Sequence, residues 1–191
     1  IVTNLLDSNF ASMNKKWYNI QGKATDAVAE VYIFDEIGAY GITAQDFISE
    51  MKEYKDTPVN LRINCIGGDV FDGMAMYNII KKREAKTTAY IEGIAASMGS
   101  VIALAADEVI MAENSLFMIH NAWGGAMGEA EDMRKTASIL EKISGEIANI
   151  YERKTRLSLN RIIEMMDKET WLNASEAYEL GFIDLILTKN G

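Results

Sequence analysis

The sequence predicts an α/β fold on a parallel sheet, from three observations. Strand-like and helix-like segments alternate between residues 28 and 119. The strand-like segments are short, rich in β-branched and aromatic residues, and closed by glycine or polar residues. One long amphipathic helix then opens the last third of the chain. Alternation of this kind marks a parallel sheet, because two parallel strands need a crossover between them.

Taken in order, residues 1–27 are mixed and polar around Trp17 and Tyr18, and read as an N-terminal arm with a short strand. Val28 to Ile33 is β-branched and aromatic, a strand. Thr43 is placed to cap a helix carrying Phe47, Met51 and Tyr54 at helical spacing. Val59 to Cys65 reads as a strand closed by Gly67-Gly68-Asp69, and Val70 to Arg83 as a helix with Met74, Tyr77 and Ile80 on one face. Thr87 to Glu92 is a third strand, which Gly93 should end. Ser97 to Ala106 is small and apolar all round, the mark of a buried helix. Glu108 to Ala112 and Leu116 to Ile119 are two more strands, and residues 121–128, with Gly124, Gly125 and Gly128, a loop.

The long helix spans about 129–156, with Met133, Ala137, Leu140, Ile147 and Tyr151 as its apolar stripe and Ile143 and Ile150 beside it. At 1.5 Å per residue it is about 40 Å long. That exceeds what a compact domain needs to cover its own sheet, so two readings stay open: a helix packed along the domain, or an arm that packs on its counterpart in another subunit. Helices at Leu159 to Lys168 and Ala174 to Leu180 follow, then a strand at Ile183 to Leu187. The domain reading is an arm over 1–27, a main domain over 28–187 and a short tail over 188–191.

Composition narrows the function. The 191 residues carry a net charge of −9, which argues against nucleic-acid binding. No run of about 18 apolar residues exists to cross a membrane, and no basic-then-apolar leader is visible. A single cysteine, Cys65, cannot form an internal disulfide, so a reducing cytosol is expected. One histidine and one cysteine do not make an ordinary zinc site. No Gly-x-x-x-x-Gly-Lys-Ser/Thr loop is present, so any ATP hydrolysis belongs to another protein. No cofactor is expected.

Four features carry chemistry. Ser97, in Gly93-Ile94-Ala95-Ala96-Ser97-Met98-Gly99, sits where a strand meets a helix. It reads either as a helix N-cap or as a nucleophile on a sharp turn with its oxygen lifted clear of the sheet. The usual Gly-x-Ser-x-Gly elbow is not met, because position 95 is alanine. His120, the only histidine, ends a strand; it either satisfies a local hydrogen bond or takes the proton of a serine hydroxyl. Gly67-Gly68 is either a plain turn or a source of an exposed N–H for an oxyanion, paired with that of Met98. Asp167 and Glu169, on a stretch read as a loop, compete as the carboxylate that orients His120.

The order and spacing of these segments resemble the proteolytic subunit of the Clp protease. Ile63 to Val70 resembles its "INSPGG-x-V" segment, and Gly73 to Tyr77 the helix after it. Gly93 to Gly99 resembles "G-x-A-A-S-M-G", and Met118 to Asn121 resembles "M-I-H-Q/N". Leu172 to Ala177 with Gly181 to Asp184 resembles the C-terminal "F-x-S/T-A-x-E-A-x-x-x-G-L-x-D". The match covers roughly residues 28–187. The runs Asp167 to Leu172 and His120 to Gly124 look closest to phage-encoded members linked to head maturation.

The resemblance implies a stacked β-β-α superhelix, shared with the crotonases, with the long helix as a protruding arm and the chains assembled into one ring or two stacked rings. It implies a serine endopeptidase acting on peptides or unfolded proteins, in phage members on capsid or scaffold proteins. An AAA+ unfoldase is a family partner, but residues 1–27 do not match the segment that docks it. Ser97 falls on the nucleophile, His120 on the base, and Gly68 and Met98 on the oxyanion-hole amides. The family's third member is an aspartate; Glu169 stands there, one methylene longer, with Asp167 as the alternative. Cys65-Ile66 replaces the family's Ser-Pro, which should loosen the oxyanion loop, since proline fixes φ. A weak or inactive assembly subunit and a crotonase-type acyl-coenzyme A enzyme are the competing readings.

Overall fold

The computed structural model describes residues 16–188. Its strands are β1 (Tyr18–Gln21), β2 (Ala29–Phe34), β3 (Val59–Cys65), β4 (Thr87–Ala96), β5 (Glu108–Ala112), β6 (Leu116–Ile119), β7 (Thr170–Asn173) and β8 (Leu185–Leu187). Its helices are α1 (Ala44–Met51), α2 (Val70–Lys81), α3 (Met98–Ala103), α4 (Ala130–Lys154), α5 (Leu159–Asp167) and α6 (Ala174–Glu179). The main sheet runs β1-β2-β3-β4-β5-β8. From β2 to β8 its pairs are parallel; β1 joins antiparallel to β2.

The expected parallel sheet is thus mixed. Its antiparallel additions are β1 and the β6–β7 pair. Most of the expected 1–27 arm, residues 1–15, and the end of the tail, residues 189–191, lie outside the described residues. What is described of the arm carries β1. Trp17 and Tyr18 are buried there against Phe47 of α1, and the Trp17 indole N–H donates to the Ile42 carbonyl at 2.8 Å.

Gly93 does not end β4. The strand runs on to Ala96 and changes neighbours at the glycine: Thr88–Ile91 pair with β5, Ile94–Ala96 with β6. Its register against β3 shifts at the same level. A side chain on residue 93 would meet the Asn64 carboxamide oxygen at 2.6 Å, so glycine here serves an irregularity inside a strand rather than a stop. The bend carries the end of β4 out of the main sheet toward β6, where Ser97 and His120 follow. α3 is shorter than expected, six residues, and every one is buried, as its apolar composition requires.

β7 is the element that the sequence did not suggest. Thr170 opposes Ile119 and Trp171 opposes Met118 across an antiparallel ladder with β6. Pairing Ile119 with Thr170 brings the residues just outside, His120 and Glu169, to the same end of the ladder. α4 is 25 residues long, and only Ile147, Ala148, Ile150 and Tyr151 are buried. Leu140 and Ile143 are half-buried, and nearer the N-terminus the apolar side chains lie open, with Met133 at 43% and Ile139 at 53% exposure. The helix therefore roots its C-terminal third in the core and extends its first turns away from it.

Candidate active site

Ser97 leaves β4 with φ 53° and ψ −125°, a conformation that non-glycine residues adopt only when their surroundings impose it. Two backbone bonds do so: the Ser97 N–H donates to the Met118 carbonyl at 3.1 Å, and the Ser97 carbonyl accepts from the Ser100 N–H at 3.0 Å. The side chain does not cap α3. It points instead at His120, with Oγ 2.8 Å from Nε2. Of the two readings of Ser97, the turn geometry and the direction of Oγ favour the exposed hydroxyl.

His120 follows β6 and is largely enclosed, its side chain 17% exposed. Its Nδ1 lies 3.9 Å from Glu169 Oε2. That is ion-pair range for a protonated imidazole and too long for a hydrogen bond. Glu169 is itself 59% exposed, sits at φ 49°, and accepts from the Trp171 indole N–H at 3.2 Å. Asp167 accepts from the Asn121 amide at 2.8 Å. The structure therefore brings Glu169 to the imidazole and gives Asp167 a different partner.

Gly68 and Met98 line the same cavity as Ser97 and His120, a cleft of about 390 Å³. Among the described residues, neither the Gly68 nor the Met98 N–H donates to a protein acceptor. For Met98 this follows from its place at the first position of α3, where a helix leaves its N–H free. At Gly68 the bridge to Ile37 uses the Gly67 carbonyl and the Asp69 N–H and not its own N–H, and the residue sits at φ 134°. A Cβ there would collide with the backbone of Ile37, so the position admits glycine alone. Gly67 allows the loop to lie against the serine: a Cβ at that residue would be 2.7 Å from the Ser97 Cβ.

The loop is not slack despite Cys65-Ile66. The Ile37 N–H donates to the Gly67 carbonyl at 2.7 Å, and the Asp69 N–H donates to the Ile37 carbonyl at 3.0 Å. Cys65 Sγ accepts from the Gly67 N–H at 3.4 Å. Burial pushes the Cys65 thiol up to about 11, with the charges of Asp35 and Glu36 adding to it, so it stays a neutral packing group. These contacts replace the stiffness that a proline would supply.

Most of the remaining lining is apolar, with Ile66, Phe71, Trp123 and Leu140 around the serine and Tyr151 and Ile147 behind it, while Glu36 and Asp69 add two carboxylates. Phe71 is 68% and Trp123 83% exposed. Large exposed apolar side chains beside a polar centre mark a surface built to receive an apolar group. A hydroxyl held by an imidazole nitrogen, beside two unused N–H groups, can attack a carbonyl carbon while the oxyanion is held. Sequence reasoning did not find β7 or the Ser100–Tyr151 pair behind the serine; the only sign of the pair was Tyr151 on the apolar stripe of α4.

Comparison with known proteins identifies the family. A family model described as Clp protease matches residues 13–190. A relative from Salinibacter ruber named ATP-dependent Clp protease proteolytic subunit 1 is 29% identical, aligned over 78% of this chain and 64% of its own length. One from Bacteroides fragilis, named ATP-dependent Clp protease proteolytic subunit, is 32% identical over 69% of this chain and 64% of its own. The chain thus spans just under two thirds of these relatives. A solved ClpP1 point mutant from Listeria monocytogenes superposes with a TM-score of 0.74 at 24% identity, covering 84% of this chain and 92% of that one. The matched fold and the near full-length family match lead to one statement: the chain belongs to the Clp protease family.

Proposed function

We propose that this protein is a serine endopeptidase. Ser97 attacks the scissile carbonyl, and His120 takes the hydroxyl proton and returns it to the leaving amine. Glu169 orients and partly neutralises the imidazolium. The Gly68 and Met98 N–H groups hold the oxyanion, the interaction that usually contributes most to such a reaction. The apolar cleft beside Ser97 receives an apolar side chain of the substrate. The observation that carries this reading is the 2.8 Å contact between Ser97 Oγ and His120 Nε2 at the end of a strained turn.

The proteins it resembles are named as proteolytic subunits of an ATP-dependent protease. By that likeness the chain works as a homo-oligomeric ring, enclosing a chamber that admits peptides and unfolded chains, with an AAA+ unfoldase as a partner. A phage capsid or scaffold protein is the natural substrate if the likeness of residues 120–124 and 167–172 to phage members holds. One observation favours the competing reading of a weakly active assembly subunit: the 3.9 Å gap between Glu169 and the imidazole.

Intact-mass labelling with a fluorophosphonate separates the two. One adduct on the native protein, absent from Ser97→Ala, is the outcome expected of an activated serine. No adduct on either protein would overturn the peptidase reading and advance the assembly subunit.

A further inference from the structure

Behind the serine lies a second hydroxyl pair that the reaction scheme does not use. The Ser100 Oγ–H donates to the Ser97 carbonyl at 2.6 Å. Tyr151 Oη lies 2.7 Å from the same Ser100 Oγ. A serine hydroxyl has one proton, and the carbonyl can only accept. The Ser100 proton therefore goes to Ser97, and the Tyr151 hydroxyl must be the donor to Ser100. The chain of bonds has a single direction: Tyr151 O–H to Ser100 O–H to the Ser97 carbonyl. Both residues are fully buried, and burial raises the Tyr151 phenol well above its ordinary value, so it remains a donor at any working pH.

The target of this chain matters more than its length. The Ser97 carbonyl and the Met98 N–H belong to one planar trans peptide and point in opposite directions. Fixing the carbonyl fixes the N–H. Ser97 is also one of three non-glycine residues at positive φ among the described residues, with φ 53°. The peptide that follows it has an incentive to rotate, and rotation would turn the Met98 N–H away from the cleft. Two backbone N–H groups, those of Ser100 and Val101, hold the carbonyl as part of the helix start. The Ser100 hydroxyl adds a third donor and Tyr151 strengthens it, since consecutive hydrogen bonds in a dry interior polarise one another.

Tyr151 stands on α4, the long helix whose first turns extend away from the core, and it packs on Phe182 with ring centroids 5.9 Å apart. We propose that Ser100 and Tyr151 are positioning residues, a buried relay from the root of the long helix that aims the Met98 N–H at the oxyanion. This rests on the peptidase reading and goes beyond it: neither residue touches the reacting atoms. It also ties the arm to the chemistry, because the rooted end of α4 supplies the outermost donor of the relay.

The test measures fluorophosphonate labelling of Ser97 at several reagent concentrations, giving a maximal rate and a half-saturating concentration. The reagent's phosphoryl oxygen enters the same N–H pair as a substrate oxyanion. Tyr151→Phe removes one oxygen and keeps the ring packing. It should lower the maximal rate about tenfold, less than the loss of an oxyanion donor itself, while the half-saturating concentration stays within about twofold. Ser100→Ala should do the same or more. The double variant should be no slower than Ser100→Ala, since both remove one relay. A thermal melt of each variant reports any purely structural effect. Native labelling at Ser97 with an unchanged maximal rate in Tyr151→Phe, whatever its melting midpoint, overturns the relay and leaves the peptidase standing. Multiplying effects in the double variant also overturn it. A native protein that takes no label overturns both.

Discussion

The carboxylate beside His120 is held by weak contacts. Glu169 is more than half exposed, bonded to an indole N–H, and 3.9 Å from the imidazole. A carboxylate that bonds an imidazole in a dry site has a large effect, whereas one across 3.9 Å of partly wet space has less. We expect Glu169→Gln to slow fluorophosphonate labelling by about tenfold, far below the ~10⁴ seen when a buried orienting acid is lost. Asp167→Asn should change the rate by less than about twofold, because Asp167 acts on Asn121 and not on the histidine. Rates for the two variants side by side decide between the acids; a larger effect at Asp167 would reverse the assignment. Cys65 offers a second test at this scale. Its thiol is buried, and its raised folded value means that the unfolded chain ionises first as pH rises. The linkage sign is that Cys65 contributes stability below the unfolded value near 9, and loses it as pH climbs toward 11. Maleimide at neutral pH should therefore leave the folded protein unmodified and add one adduct in urea. Rapid modification without urea would show that the loop opens.

At the scale of elements, the oxyanion loop and the strand ends around it set the site. Gly68→Ala combines a positive φ with a collision against Ile37, so it must displace the loop. The expected cost is about 1–3 kcal/mol of stability, read as a lower urea midpoint, together with loss of labelling. Labelling at the native rate would show that the Gly68 N–H has no part in the chemistry. Across the open sheet, Arg62 joins Glu30 on β2 at 2.7 Å to Glu92 on β4 at 2.9 Å. Burial alone would raise the Glu30 carboxyl; hydrogen bonds from Arg62 and Asn60, with the charge of Arg62, outweigh it and hold the carboxyl below its ordinary value. The unfolded state then binds the proton first, so stability from Glu30 is present above the ordinary carboxylate range and fades as pH falls through it. Glu30→Gln should flatten the fall of the urea midpoint as pH drops from 7 to well below the ordinary carboxylate range, by an amount worth less than about 1 kcal/mol. Much of this layer was readable in advance. Strands β3, β5 and β6 have their expected bounds, because each is a short apolar or alternating segment closed by polar or glycine residues. Strand β7 was not readable, because Thr170-Trp171-Leu172-Asn173 is extended only through its ladder with β6. Ser97 was equally undecidable, since a helix cap and an elbow occupy the same position in the chain. Only the backbone angle and the direction of Oγ separate them.

For the whole molecule the exposed length of α4 is an apolar feature that the domain leaves uncovered. An isolated domain gains nothing by holding an apolar stripe in water: Ile139 and Met133 lie open on the helix, and Trp123 and Met127, at 83% and 97% exposure, lie on the loop that leads into it. The sequence displayed the stripe; whether the domain itself covers it is a property of three dimensions, and α4 buries only Ile147, Ala148, Ile150 and Tyr151. Elsewhere the helix is made secure locally. Its N-terminal Glu131 and Asp132 and its C-terminal Arg153 and Lys154 are placed to suit the helix dipole, and the Glu129 N–H donates to Asp132 Oδ2 at 3.1 Å in a capping box that closes its first turn. Burial of one side chain of this size in an interface contributes about 1.5–3 kcal/mol, and a ring repeats that gain at every subunit boundary. Ile139→Asp would place a charge in such an interface without touching the folded core, since the residue is already exposed. On the ring reading proposed above, we therefore expect the variant to keep its melting behaviour at high dilution, where any assembly has dissociated. At working concentration it should sediment as smaller species than the native protein. Its labelling rate per Ser97 should fall in step with the assembly, because the same helix carries Tyr151 at its root. Identical sedimentation of native and variant proteins would show that the stripe is not an assembly surface.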